Sequence, residues 1–389
     1  MTAPSGHRAL SEPQFCGLVD ELNADPARRG ALADLLREDN PIYDQHGGAV
    51  TVRMRGWVLL ALSRAGLPNS ALLFALEELD NGRDAYLVAV AARALRSYAQ
   101  PSRAFAPLLM RAISNIHFHD DLFCLECYGG YSESAAGTTA VREVFAALLW
   151  LGAHAHAVLP EIDAISANKT EEFSDALAGE AGRLAEAIRR AAATQGHAQG
   201  HCCAGPADLG SFRAWAPGST GNAESIDSTL FEDQDRNRVD FGQFFRGQPS
   251  VVTFFYTRCN NPRKCSLTVA KLARLQQLLS ERDLADRIRT AAITYDPAFD
   301  LPDRLRGYGQ SRGLRMDAGH KMLRAIDGMS TLCAHFQLGV NFVESLVNRH
   351  RVEVYVLNAA GHIVASFERL QWDEREVLAQ AVALLRDTR

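Results

Sequence analysis

Two cysteines in the second half of the chain, Cys259 and Cys265, have neighbours that favour thiol chemistry. Three cationic residues, Arg258, Arg263 and Lys264, lie beside them in the sequence. Positive charge lowers the pKa of a nearby thiol, and the resulting thiolate is both the nucleophile of disulfide exchange and a ligand for soft metals. We therefore expect both thiol pKa values to be lowered, and we expect a redox or soft-metal site.

The segments on either side of the pair predict how the chain holds it. An apolar, β-branched and aromatic run from Val251 to Tyr256 predicts a buried strand, and apolar residues at helical spacing from Leu267 to Leu278 predict a helix. A turn between a strand and a helix presents backbone N–H groups and the positive end of the helix dipole to the sulfurs. This position also favours thiolates.

Three segments of the second half resemble the Sco/SenC family of copper-binding proteins. The first is the cysteine segment itself, GQPSVVTFFYTRCNNPRKCSLTVAKLARLQ. The second, AAITYDPAFDLPDRLRGYG, is similar to a family strand that ends in a D-P-x-x-D-x-P turn, which here includes Asp296 and Asp300. The third, HRVEVYVLNAAGHI, resembles the segment in which a metal-binding histidine precedes a strand, and His350 falls on that histidine. The likeness runs from about Ser228 to Leu385.

The resemblance has direct implications for fold and site. It implies a thioredoxin-like α/β sandwich that binds copper, as Cu(I), through Cys259, Cys265 and His350. It also implies that Asp296 and Asp300 shape the loop next to these ligands. The leading functional prediction is therefore a Sco-like protein that binds or delivers Cu(I) and carries out thiol chemistry.

The cysteine loop departs from the family pattern in its length. Five residues, Asn260 to Lys264, separate the cysteines, where the family usually has three. Such a loop still permits a disulfide, which needs Cα atoms only about 4.4–6.8 Å apart. The longer loop favours an alternative enzymatic function, a metal-free thiol–disulfide oxidoreductase that uses the same cysteines. A peroxiredoxin is disfavoured because the P-x-x-x-T-x-x-C pattern of that family is absent.

The first half of the chain predicts a helical domain. From Leu10 to about Thr194, amphipathic segments are broken near Pro68, Pro101 and Gly152. Recurring helix pairs of this kind indicate a HEAT-like repeat, and a non-repeating helical bundle is the alternative.

The overall prediction for the 389 residues is a multi-domain protein, α plus α/β. Its parts are a HEAT-like α-helical domain at residues 1–195, a flexible linker at 196–225 and a thioredoxin-like Sco/SenC domain at 226–389.

One segment inside the helical half, NIHFHDDLFCLECYGGYSES, breaks the helical period. It contains four residues of the types that bind zinc: His117, His119, Cys124 and Cys127. Their spacing is not that of a common zinc finger. The alternatives are therefore a zinc site or a surface insertion whose cysteines pack inward.

The predicted linker contains a vicinal pair, Cys202 and Cys203, preceded by His201. Adjacent cysteines seldom bridge each other, so each is free to react with a third sulfur or a soft metal. About 25 residues of flexible chain span roughly 25–30 Å, which is enough to reach a neighbouring surface. We expect the pair to serve Cys259 and Cys265 as a redox relay or metal-delivering arm.

Composition limits the classes of partner. With 47% apolar residues, 22% charged residues and a net charge of −5, the chain gives no electrostatic basis for binding nucleic acid or acidic membranes. No apolar run approaches about 18 residues and the first residues lack signal-peptide features, so we expect no membrane span and a cytoplasmic location.

We expect a protein partner or redox client to bind the helical domain. The third functional hypothesis is a protein-binding module with a degenerate thioredoxin-like domain.

Overall fold

The computed structural model describes residues 10–127, 130–131, 137–196, 226–344 and 346–385. The chain divides into two compact units, residues 1–212 and 213–389, and each has its own buried apolar residues. Most of the predicted linker, including Cys202 and Cys203, lies outside the described residues. The predicted domain boundaries at residues 195 and 226 therefore stay predictions.

The described part of the N-terminal unit is almost entirely helical, as the sequence predicts. Its α-helices are α1 (Glu12–Ala24), α2 (Ala31–Asp34), α3 (Gly48–Ala65), α4 (Asn69–Asn81), α5 (Ala85–Leu95), α6 (Ala106–Ile116), α7 (Ala140–Leu151), α8 (Leu159–Ala167) and α9 (Asp175–Gly196). Side-chain caps fix two of the starts. Asp84 accepts a hydrogen bond from the backbone of Leu87 at 3.0 Å, and Thr139 accepts one from Arg142 at 3.3 Å.

Alternate helices pack together in this unit. Helix α3 contacts α5, α5 contacts α7, and α4 contacts α6. Helix α5 is apolar on nearly every side and buries Leu87, Val88 and Val90 completely, which is typical of a helix inside a core. These contacts confirm a helical domain. The HEAT-like repeat stays a prediction.

A short hairpin interrupts the helices between α6 and α7. Strand β1 (Phe123–Cys124) pairs antiparallel with β2 (Gly130–Tyr131), and Phe123 also bridges to Thr138. Residues Leu125–Cys127 form one turn of 3-10 helix. The hairpin lies where the sequence loses its helical period.

One stretch of the helical unit, Ala140–Ala167, has the length and apolar composition of a membrane-spanning helix, with a mean hydropathy of 1.3 over an 18-residue window. It consists of α7, a 3-10 segment at Gly152–Val158 and α8. Helix α7 packs on α5, and α8 packs on α9. Because apolar core helices meet the same compositional test, we interpret this stretch as part of the core of the helical unit.

The C-terminal unit is built on a seven-stranded sheet among its described residues. The strands are β3 (Leu230–Asp233), β4 (Arg238–Asp240), β5 (Ser250–Phe255), β6 (Arg289–Thr294), β7 (His320–Asp327), β10 (Glu353–Leu357) and β11 (Ile363–Glu368). Their order is β11-β10-β5-β6-β7-β3-β4. Strands β5, β6 and β7 are parallel, and the other neighbours pair antiparallel.

Helices alternate with these strands. They are α10 (Phe241–Phe245), α11 (Leu267–Ser280), α12 (Pro302–Gln310), α13 (Met329–Phe336) and α14 (Glu374–Ala383). Strand β5 is buried along its whole length because side chains cover both of its faces. Phe254 packs against Phe336 of α13, and Phe255 stacks on Tyr308 of α12. The mixed sheet with covering helices agrees with the predicted thioredoxin-like α/β fold.

A separate two-stranded hairpin precedes β10 and was not predicted from the sequence. It consists of β8 (Val340–Val343) and β9 (Leu346–His350). Val340 pairs with His350 at the open end of the hairpin. This pairing fixes the backbone of the predicted metal-binding histidine just before β10 begins.

Candidate functional site

The cysteine turn joins β5 to α11 and contains a π-helical segment. Cys259 follows β5, and Cys265 lies within the π-helical residues Pro262–Ser266. The side chain of Asn261 caps this segment by accepting a hydrogen bond from the backbone N–H of Arg263 at 3.0 Å. A π-helix has more residues per turn than an α-helix. The segment therefore accommodates the long loop between the two cysteines.

Three metal-ligating side chains converge at this turn. Nε2 of His350 lies 3.5 Å from Sγ of Cys259 and 3.5 Å from Sγ of Cys265. The three atoms lie within 4.8 Å of one another, and no other such group of three occurs in the part of the chain that the structure describes. Cys265 and His350 are buried, whereas Cys259 is half-buried. Two sulfurs and an imidazole nitrogen are the soft donors that suit Cu(I).

Hydrogen bonds orient the histidine toward the sulfurs. Nδ1 of His350 lies 3.0 Å from the carbonyl oxygen of Arg351, and because a carbonyl can only accept, Nδ1 is the donor. Nε2 is then left to face the two cysteines. The buried ammonium of Lys264 donates to the carbonyl of His350 at 2.8 Å. This bond ties the cysteine turn directly to the histidine strand.

The two thiols have opposite pKa shifts. A hydrogen bond from Cys265, helped by the hydrogen bond and charge of His350, lowers the pKa of Cys259 to about 3, although burial opposes the shift. Burial and the neighbouring thiolate raise the pKa of Cys265 well above its ordinary value. The expectation that both values fall is wrong for Cys265, because burial outweighs the charge of Lys264. The metal-free site therefore holds one thiolate and one thiol.

The two aspartates that were predicted to shape the neighbouring loop contact the start of the cysteine turn. Asp296 pairs with Arg258, whose Nε lies 3.0 Å from Oδ2. Asp300 is fully buried and accepts hydrogen bonds from the backbone N–H of Thr257 at 3.0 Å and from the hydroxyls of Thr257 and Thr294. Burial raises the pKa of Asp300. Neither carboxylate belongs to the compact ligand group, so both support the turn without reaching its centre.

A buried carboxylate that the sequence analysis missed lies close to the histidine strand. Glu353 accepts hydrogen bonds from Nε of Arg351 at 2.9 Å, from the hydroxyl of Tyr355 at 2.7 Å and from the hydroxyl of Tyr295. The ring of Tyr295 lies 5.5 Å from the ring of His350. An acidic residue inside the apolar run VEVYVL was the available signal, because a buried charge requires partners.

The structure does not assemble the predicted zinc site. The ring of His117 packs against Phe173, and both residues line a cavity beside α6. Cys124 and Cys127 instead lie in the hairpin of β1 and β2. Among the residues that the structure describes, these side chains and His119 form no compact group of three ligand atoms. The four residues are thus divided between the 3-10 turn His117–His119 after α6 and the hairpin, and a zinc site formed by all four stays a prediction.

The SCO1/SenC family model matches residues 221–386. The matched range contains β3 to α14 and all three clustered ligands. A search of curated proteins finds no match to the chain.

Similar solved structures include a SCO1/SenC family lipoprotein from Bacillus anthracis str. Ames, at 20% identity over 40% of this chain and 92% of that chain, with a TM-score of 0.35. Bradyrhizobium japonicum ScoI, with copper bound, is 17% identical over 40% of this chain and 96% of that chain, with a TM-score of 0.33. Yeast Sco1, with copper bound, is 21% identical over 41% of this chain and 86% of that chain, with a TM-score of 0.32.

The family match coincides with the sequence segments that carry the cysteines and the histidine, and the fold brings these side chains together. Residues 221–386 of this chain therefore form a SCO1/SenC domain.

Proposed function

We propose that the SCO1/SenC domain binds one Cu(I) ion through Cys259, Cys265 and His350 and transfers it to a protein client. The observation that carries the proposal is the convergence of three soft donor atoms within 4.8 Å. The similar structures of Bradyrhizobium ScoI and yeast Sco1 have copper bound, which agrees with this assignment. Copper is the cargo in this proposal.

The residues around the site prepare one of the three ligands in advance and orient a second. Cys259 is already a thiolate, and the hydrogen bond to Arg351 leaves Nε2 of His350 facing the sulfurs. Cys265 holds its proton and must release it to become a ligand, so metal uptake liberates a proton. Cu(I) is a soft ion, so a client thiolate can replace one of these ligands and transfer the ion to the client. Cys259 is the more exposed of the two cysteines. We therefore expect the client to approach the site from the side of Cys259.

A metal-free thiol–disulfide oxidoreductase is the second candidate, favoured by the opposite protonation states of the two thiols. The thiolate of Cys259 attacks one sulfur of a client disulfide, which forms a mixed disulfide and releases one client thiolate. Cys265 then loses its proton and attacks Sγ of Cys259, which closes the intramolecular disulfide and releases the second client thiolate. The client gains two electrons and the domain loses two.

The proposal also assigns roles to the helical unit and to the predicted linker. The helical unit binds the client, and a HEAT-like stack of helices would suit that role. Cys202 and Cys203 act as a redox relay or metal-delivering arm for Cys259 and Cys265. The proposed setting is cytoplasmic, without nucleic acid and without a membrane span. A protein-binding module with a degenerate thioredoxin-like domain is the third candidate, and it would leave the cysteine cluster without a function.

An anaerobic Cu(I) titration against a chromophoric chelator, combined with thiol counting, tests the proposal. We expect one Cu(I) per SCO1/SenC domain, with the thiols of Cys259 and Cys265 protected on loading. His350→Ala should weaken binding by at least about tenfold, the lower end of the effects seen when a metal ligand's surroundings are disturbed. The matched control is His362→Ala, because His362 is exposed at the opposite end of β10. If no Cu(I) binds while a client-type disulfide still oxidises Cys259 and Cys265, the second candidate replaces the first.

A further inference from the structure

A second cysteine pair lies outside the SCO1/SenC domain. Cys124 ends β1, and Cys127 ends the 3-10 turn that follows. The single 3-10 turn Leu125–Cys127 therefore directly follows Cys124 and ends at Cys127. A hydrogen bond between the two side chains raises the pKa of the Cys127 thiol. Both cysteines are reduced; Cys124 is half-buried and Cys127 is exposed.

Glu126, one of the two residues between the cysteines, connects them to a basic cavity. Glu126 pairs with Arg64, and both line a cavity of about 380 Å³ together with Arg93, Arg96 and two serines. Glu126 is 54% exposed and Arg64 is 44% exposed, so this pair lies on the surface and can separate at small cost.

The charges in the cavity wall do not balance. Arg93 and Arg96 both bind the buried carboxylate of Glu143, with nitrogen–oxygen distances of 2.6 Å and 2.9 Å. Three guanidinium groups therefore share two carboxylates, those of Glu126 and Glu143. Nε of Arg96 is buried and has no hydrogen-bond partner among the residues that the structure describes. Each guanidinium is a planar group of N–H donors, and the excess positive charge of the three matches a carboxylate ligand.

We propose that Cys124 and Cys127 form a second thiol–disulfide centre, whose small-molecule partner is a disulfide bearing carboxylate groups that the arginine cavity binds. The carboxylate of the partner takes the place of Glu126 on Arg64. This places the disulfide of the partner next to the exposed Cys127. The inference stands on the helical unit alone and does not depend on copper binding by the SCO1/SenC domain.

The exchange proceeds in two balanced steps. The thiolate of Cys127 attacks one sulfur of the partner disulfide, forming a mixed disulfide and releasing one partner thiolate. Cys124 loses its proton to solvent and attacks Sγ of Cys127, forming the Cys124–Cys127 disulfide and releasing the second partner thiolate. The pair loses two electrons and the partner disulfide gains two.

The test uses the full chain carrying Cys259→Ser and Cys265→Ser, so that the first cysteine pair cannot react. Oxidised glutathione, neutral hydroxyethyl disulfide and cationic cystamine are compared as oxidants at mildly alkaline pH. Mass mapping follows the Cys124–Cys127 disulfide. A short peptide with the same FCLECY segment corrects for the intrinsic reactivity of each oxidant. We expect oxidised glutathione to react fastest and cystamine slowest after this correction.

Two substitutions then separate the cavity from general thiol reactivity. Arg64→Gln should reduce the preference for oxidised glutathione by roughly fivefold, the effect of one partly exposed ion pair, and Glu126→Gln should increase it. Glu126 is exposed, so Glu126→Gln keeps the test informative even if Arg64→Gln fails to fold. Equal rates with all three oxidants, a preference unchanged in both variants, or a stable adduct on Cys127 without closure to Cys124 would each overturn the proposal.

Discussion

The two cysteine pairs that the structure describes have the same thiol groups but different surroundings. Cys259 and Cys265 lie in a π-helical turn beside the buried ring of His350. Cys124 and Cys127 lie in a hairpin whose Glu126 pairs with Arg64, and among the described residues no third ligand atom completes a compact group with them. Spacing in the sequence differs by only a few residues. What differs is whether the fold delivers a third soft ligand.

Burial explains why the first pair is polarised into a thiolate and a thiol. Cys265 is completely buried and keeps its proton, and its S–H group donates a hydrogen bond to Cys259. The exposed Cys127 lies in water, where no buried partner stabilises its thiolate. A cysteine motif therefore acquires the properties of a soft-metal site through its tertiary neighbours.

The pH dependence of alkylation should separate the two pairs most strongly. The thiolate fraction of Cys127, whose pKa is raised, should increase about tenfold per pH unit, or about 1000-fold from about pH 5 to about pH 8. Cys259, with a pKa of about 3, is already ionised over this range, and its rate should stay within about twofold. Timed iodoacetamide labelling with peptide mass analysis measures both rates in one sample. A tenfold rise in the alkylation rate of Cys259 per pH unit would show that its pKa is not lowered.

Removing one sulfur from each pair should affect copper binding very unequally. Cys265→Ser should weaken Cu(I) binding by more than about 100-fold, which exceeds the usual effect of disturbing residues around a ligand. The double variant Cys124→Ser, Cys127→Ser is the matched control and should bind one Cu(I) with unchanged affinity. Competition titration measures both affinities. If the control variant also loses copper, the N-terminal pair is part of the copper site and the contrast fails.

The buried charge network should stabilise only the C-terminal unit. Glu353→Ala removes the buried carboxylate that Arg351 and two tyrosine hydroxyls share, leaves Arg351 paired only with the less buried Glu368, and should cost about 3 kcal/mol of unfolding free energy. Glu281→Ala, which removes an exposed carboxylate from the same unit, should cost less than about 1 kcal/mol. Hydrogen exchange measured peptide by peptide during urea unfolding assigns each loss of unfolding free energy to one of the two units. Equal losses from the two substitutions would mean that the network does not support the site.

Local patterns in the sequence were sufficient to predict much of the C-terminal fold. The apolar run at Val251 to Tyr256 and the periodic leucines after Cys265 predicted β5 and α11, because buried strands and amphipathic helices have distinct spacings. The hairpin of β8 and β9 was missed, since its residues alternate weakly between buried and exposed positions. The π-helical segment was also missed, because no residue pattern specifies an additional residue per turn.

The members of the site were predicted by resemblance, but their electrostatics were not. His350 lies 91 residues from Cys259 in the chain, so spacing alone could not place it at the sulfurs. Counting nearby cations predicted lowered pKa values for both cysteines. Burial reversed the result for Cys265, and burial depends on packing that a linear sequence does not display.

X-ray absorption spectroscopy of the Cu(I)-loaded chain identifies the atoms that bind copper. With Cys124→Ser and Cys127→Ser in place, the N-terminal pair cannot contribute sulfur to the spectrum. We expect two sulfur ligands and one imidazole nitrogen on copper, with the imidazole signal lost in His350→Ala and retained in His362→Ala. A spectrum without a sulfur shell, or one whose imidazole signal survives in His350→Ala, would rule out Cu(I) binding by Cys259, Cys265 and His350.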